Sequence, residues 1–235
     1  MNIFEFISKN HDVLSVCVSI IVGFATIITS IATIIVAKNQ SKLSEIQNQM
    51  QNRINQPIFE VRTYQTQDGN DGKYGTEFLE VNNVGANIVS CAVDPTAFFI
   101  LSRIENGQKN SLYMKIEDYF YASSHDSENE KNIHRSFCPG NNRVFCEGYM
   151  AAVEDSKGSD VLYFFDKTIL IKVEYKDIFG ANHIVYYQDK REIDEEAYKY
   201  YFSKAQEDFP DWSITLNNID YPSAKARIDE LCLGK

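Results

Sequence analysis

Between Lys131 and Arg143 the chain reads KNIHRSFCPGNNR, a stretch holding Lys131, His134, Arg135 and Arg143 and no acid. Such side chains recognise phosphate or carboxylate oxygens through charge-assisted hydrogen bonds, Arg as a two-pronged fork. Gly140, Asn141 and Asn142 add turn residues whose backbone N–H groups can form an anion-binding concavity. Phe137 and Phe145 offer rings on which a base can stack. The ligand-binding reading therefore takes Lys131, His134, Arg135, Asn141, Asn142 and Arg143 as a site for a nucleotide or short oligonucleotide. The competing reading is a solvated hairpin whose bases pair with nearby acids.

Other chemistry finds no support. The sequence has no G-x-x-x-x-G-K-[ST], G-x-G-x-x-G, H-E-x-x-H or C-x-x-C. His134, Cys138 and Cys146 supply three zinc ligand types but no fourth at a usual spacing. Ser136 beside His134 has no orienting third group for nucleophilic catalysis. Asp194, Glu195 and Glu196 open a helix, where negative charge favours the dipole. The expectation is a protein that is not an enzyme, with no catalytic residue, metal or cofactor. Cys17, Cys91, Cys138, Cys146 and Cys232 are scattered, as incidental thiols in a reducing compartment are. Were the domain exported, Cys138 and Cys146 could instead face each other across a hairpin as a disulfide.

Residues 13–37 form a run of 25 without one charge. That exceeds the roughly 20 apolar residues that span a bilayer core, and it is too long for a signal peptide, whose apolar region is about 7–15 residues. The expectation is a retained, single-pass membrane anchor. Lys9 flanks it on the N-terminal side, and Lys38, Lys42 and Arg53 on the C-terminal side. This bias favours a cytoplasmic soluble domain.

Polar atoms within the run are clustered. At about 100° per residue, Ser15, Ser19, Thr26, Thr29, Ser30 and Thr33 share an arc of roughly 100°. A heptad reading places Ser19, Thr26, Thr33, Gln40, Gln47 and Ile54 at one core position, and Val22, Thr29, Val36, Leu43 and Met50 at the other. The pattern predicts one helix to Ile54, stopped by Pro57, with the lipid-embedded part lining a pore (Ser15, Ser19, Val22, Thr26, Thr29, Thr33, Val36). Gln40, Leu43, Gln47, Met50 and Ile54 then form a coiled-coil neck. The alternative is a lone anchor whose hydroxyls bond back to their own helix carbonyls.

Four bases and three acids lie in residues 1–56, against 19 bases and 30 acids in residues 57–235. So acidic a domain does not suit a general nucleic-acid coat, which relies on many Lys/Arg phosphate contacts. All 14 Tyr and 12 of the chain's 15 Phe lie in it, which excludes a disordered tail. After Pro57 the period becomes two. IFEVRTYQTQ, TEFLEVNN, ANIVSCAV, AFFILSR, LYMKIEDYFYA, RVFCEGYMAAVE, VLYFFDKTILIKVEYKD and NHIVYYQ read as strands. Residues 68–72 form a turn-rich break, residues 123–132 a polar mobile loop, and residues 177–181 a hairpin turn with Gly180. From Glu192 helical period returns up to Pro210, and a last short helix covers 223–233. The expected fold is α+β: a transmembrane helix and neck (1–56), an antiparallel β-sandwich or barrel-like sensor (57–190), and a C-terminal helical segment (191–235).

The span with its hydroxyl seam, the neck to Ile54 and the β domain after Pro57 together resemble, across the whole chain in outline, the membrane channel effectors of bacterial nucleotide-signalling anti-phage defence, the Hailong type in particular. The resemblance implies a homo-oligomeric ion channel in the lipid of a bacterial inner membrane. Its soluble crown domain would bind a short single-stranded DNA or nucleotide signal made by a partner nucleotidyltransferase, and that ligand would control whether the helices part. The acidity of the domain departs from that plan and confines such a ligand to the segment from Lys131 to Arg143. The reading from another class is a single-span adaptor that recruits a protein partner.

Overall fold

A computed structural model describes residues 11–54, 56–67, 74–124, 131–210 and 213–233. The break at 68–72 and most of the loop expected to be mobile, with His125, lie outside them. The chain divides into two compact units, Met1–Gln56 and Pro57–Lys235.

The first unit is helix α1 (His11–Ile54), 44 residues with no interior break. Ser15–Asn48 is long and apolar enough to cross a membrane.

The second unit is α+β. Its strands are β1 (Phe59–Gln67), β2 (Tyr74–Asn83), β3 (Ile88–Glu105), β4 (Gln108–Ile116), β5 (Ala122–Ser124), β6 (Asn132–Cys138), β7 (Leu162–Asp177), β8 (Asn182–Gln188) and β9 (Arg191–Ile193). They form two antiparallel sheets, β1-β2-β6-β5 and β4-β3-β7-β8-β9. Helices α2 (Asn141–Ser156), α3 (Glu195–Asp208) and α4 (Tyr221–Leu233) pack around the second sheet.

Side-chain alternation builds the sandwich. Phe59 and Val61 of β1 and Leu79 and Val81 of β2 face Ile169, Ile171 and Val173 of β7 and Tyr187 of β8. On the same face of the five-stranded sheet, Phe99, Leu101, Leu112 and Met114 pack with Ala152 of α2 and with Tyr221, Ala224 and Ile228 of α4. Its other face carries Phe98 and Leu170 against Tyr198 and Ala205 of α3. Covered on both faces, β3 reads as the continuous apolar run AFFIL, and consecutive Phe98 and Phe99 are each 0% exposed.

β3 is one 18-residue strand where the sequence suggests two, because Pro95 does not interrupt it. Pairing with β4 begins at Ala97, so Pro95 sits where β3 has a neighbour, β7, on one side only. A proline there forfeits no second ladder bond. Asn106 and Gly107, at φ 51° and 77°, make the two-residue link to β4, as the left-handed hairpin turn requires.

The segment RVFCEGYMAAVE is helix α2, not a strand. Val144, Gly148 and Ala152 recur every four residues on the face toward β7, and a Cβ on Gly148 would lie 2.6 Å from the Phe165 ring. That spacing is helical. Cys138 and Cys146 consequently do not flank a hairpin, and all five cysteines are free. α3 starts three residues later than the period suggests, because Arg191–Ile193 pairs with β8 and Asp194 caps the helix by accepting the Ala197 N–H at 2.7 Å.

Candidate functional site

Two places carry the residues singled out above, one in each unit.

In α1 the hydroxyls bond to their own helix. Ser19 donates to the Ser15 carbonyl at 2.9 Å, and Thr26, Ser30 and Thr33 donate to the carbonyls four residues back at 2.8 Å. Thr29 does the same to Ala25. Each of these donors is thereby satisfied within the helix, while the oxygens remain on the surface as a weakly polar stripe. Val22, Val36, Gln40 and Gln47 are exposed along it, with Leu43 at 59% and Met50 at 61%. The side chain of Ile54 lies outside the described residues.

In the second unit, β6 distributes the basic segment over two faces. Lys131, exposed, precedes the strand, and its carbonyl accepts the Asn83 N–H at 2.8 Å. His134 pairs in register with Val81 on the inner face. Burial holds its imidazole below the usual histidine range, and Nε2 has no hydrogen-bond partner among the described residues.

Arg135 points outward. Its Nη2 donates to the Tyr64 hydroxyl at 2.6 Å, its Nε stands 3.4 Å from a Glu80 carboxylate oxygen, and the guanidinium lies 4.9 Å from the Phe78 ring centre. Tyr64, in turn, donates to Glu80 at 3.0 Å. Tyr64, Phe78 and Phe137 stand side by side across β1, β2 and β6, with centroids 5.0 and 4.9 Å apart. Tyr64 and Phe78 are near parallel, at 5°, so their facing surfaces are spent on each other rather than offered to a base.

Asn141 and Asn142 turn into the core at the start of α2, 0% and 1% exposed, while Arg143 beside them is exposed. Asn141 clasps the chain: its side-chain oxygen accepts the Glu77 N–H at 2.7 Å, and its amide donates to the Glu77 and Tyr119 carbonyls at 3.2 and 3.3 Å. Asn142 accepts from Gln65 at 3.2 Å and donates to the Cys146 sulfur at 3.6 Å. The segment therefore brings no six-residue cluster together. Lys131, Arg135 and Arg143 reach the surface, His134 lies on the opposite face of β6 from Arg135, and the asparagines are structural. Phe145 packs against Phe99 and Phe165 inside.

Sequence reading missed the polar cluster that Asn141 anchors. Glu77 of β2 and Lys167 of β7 form an ion pair with side chains 7% and 11% exposed. Tyr119 donates to Glu77 at 2.5 Å and accepts from Lys167 at 2.9 Å. Lys167 lies 4.9 Å from the Phe145 ring centre. Burial, reinforced by the Glu77 charge, pushes the Tyr119 phenol far up, so it stays a donor. The signal was available in the strand parity. Lys167 alternates with Phe165 and Ile169, and Glu77 with Leu79, so opposite charges occupy inward positions of two strands. Every member is partnered, which makes the cluster a clasp between sheets. Near it, burial pushes the Cys138 thiol up to about 11, so it is protonated at neutral pH.

Among the described residues no group of three or more His, Cys, Asp or Glu is placed to hold a metal. No family model, curated protein or solved structure matches the chain.

Proposed function

We propose that the protein is a homo-oligomeric effector of a bacterial inner membrane, with α1 as its single span and the α+β domain in the cytoplasm. Copies pack along the α1 seam, the hydroxyl stripe lines an ion path, and the β domain senses an anionic signal, a nucleotide or short oligonucleotide. Anti-phage defence, with the signal supplied by a nucleotidyltransferase, is the setting that the architectural resemblance suggests.

One observation carries the reading: beyond the charge-free run, Leu43 and Met50 stay 59% and 61% exposed on the same seam as the hydroxyls. Apolar side chains repeated every seven residues on a helix outside lipid gain by packing on a like helix. The ligand acts only through different affinity for closed and open assemblies, with Lys131, Arg135 and Arg143 as its surface partners.

Reconstituted in liposomes, the full chain should release ions. Thr26→Leu with Thr33→Leu should abolish the flux without reducing insertion, and undiminished flux contradicts the pore. Arg135→Ala with Arg143→Ala should weaken nucleotide binding at least tenfold, the loss of about two charge-assisted contacts.

A second reading has its own support. The back-bonded hydroxyls of α1 need no neighbour, as in a lone anchor holding a domain that recruits a protein. That protein would be monomeric and indifferent to seam substitutions.

A further inference from the structure

The end of the domain at which the chain arrives from α1 carries exposed apolar side chains. Ile58 precedes β1, and its carbonyl accepts the Val84 N–H at 2.8 Å. A short loop leads from Val84 to β3, whose first residue Ile88 pairs with Asp177, the last of β7. Ile178 and Phe179 form the tip beyond. Ile58 is 57% exposed, Val89 65% and Phe179 77%.

Acid is missing from the segments that form this rim, while two lysines stand at its edge: Lys131, whose carbonyl accepts the Asn83 N–H, and Lys176, whose side chain lies 3.6 Å from where a Cβ on Gly180 would sit. Residues 81–93 and 178–182 hold no charged side chain in 18 positions, where the chain's 24% charged fraction would place about four. Asp177, which precedes the tip, is consumed locally. It accepts the Phe179 and Ala181 N–H groups, each at 2.9 Å, and pairs with His183 at 2.8 Å. His183 in turn stacks on Tyr175, and Tyr175 meets Phe59 edge-on. The tip is thus built to hold Phe179 out in water, a preorganised protrusion of the kind that anchors interfaces.

We propose that this rim binds the same rim on a second copy of the chain. The inference rests on the reading that copies associate through α1. Only four residues, at most about 14 Å of extended chain, separate the end of α1 from β1. Helices paired along the seam therefore bring two rims into reach at high effective concentration. Residues 81–93 and 178–182 contain no acid, so repulsion between the acidic domains is weakest at this rim. A lipid surface fits less well. The 17 helical residues from Lys38 to Ile54 rise about 25 Å beyond the charge-free run, well past a headgroup layer of roughly 6 Å.

The test uses the full chain in detergent, with a photo-crosslinking phenylalanine analogue at position 179 and, separately, Phe179→Asp. Chain-to-chain adducts mapping to Ile58, Val84, Val89 or Ile178 are expected. Phe179→Asp should raise the concentration at which the oligomer dissociates at least tenfold, and Phe179→Leu about threefold or less, the range of an anchor residue. Adducts only to detergent or lipid, with Phe179→Asp dissociating as wild type does, overturn the rim contact. A Leu43→Asp, Met50→Asp variant that dissociates in that same experiment leaves the seam reading standing. A monomeric wild type overturns both.

Discussion

Glu77 and Lys167 join the two sheets by an ion pair placed where strand alternation puts side chains inward, with Tyr119 bonded to both. Removing one partner leaves a buried charge alone. Lys167→Ala should cost about 3–5 kcal/mol, and Glu77→Leu with Lys167→Met should recover most of it. Denaturant titration of the full chain decides the matter. A single variant as stable as wild type would show that the pair holds nothing.

Gly148 lets α2 approach β7. A methyl group there would lie 2.6 Å from Phe165. Gly148→Ala should destabilise by about 1–3 kcal/mol through overpacking, despite alanine's better helix propensity. Combined with Phe165→Leu it should cost less than the sum of the two single losses. Strict additivity of the two changes would contradict a direct clash.

The two-layer sheet architecture was legible because β1, β2, β7 and β8 alternate plainly or run apolar throughout. RVFCEGYMAAVE misled because Val144, Phe145, Tyr149 and Met150 give it strand-like composition. Its Gly148 and Ala152 spacing, which only matters once β7 is opposite, is what makes it helical. Asn106–Gly107 is a strong hairpin dipeptide that the charged surroundings masked. At the basic segment, residue types marked Lys131, Arg135 and Arg143, but strand alternation put His134 on the far face and helix onset buried Asn141 and Asn142. Composition cannot distinguish an asparagine offered to a ligand from one that clasps Glu77.

His134 gives the domain a pH dependence of known sign. Burial lowers its pKa in the fold from 6.5, so the unfolded chain binds the proton more readily. Its contribution is fully present above about pH 6.5 and lost as pH falls below that value. His134→Gln should flatten the decline in stability between about pH 7 and 5, as read by denaturant midpoints. An equal slope in variant and wild type would mean that His134 titrates as it does in the unfolded chain.

The exposed Leu43 and Met50 on the α1 seam make self-association the centre of the functional account. Native mass measurement of the full chain in detergent tests it most directly. A whole-number multiple of the chain mass that collapses on Leu43→Asp with Met50→Asp is the predicted result. A monomeric wild type would contradict the account and leave the lone membrane anchor in its place.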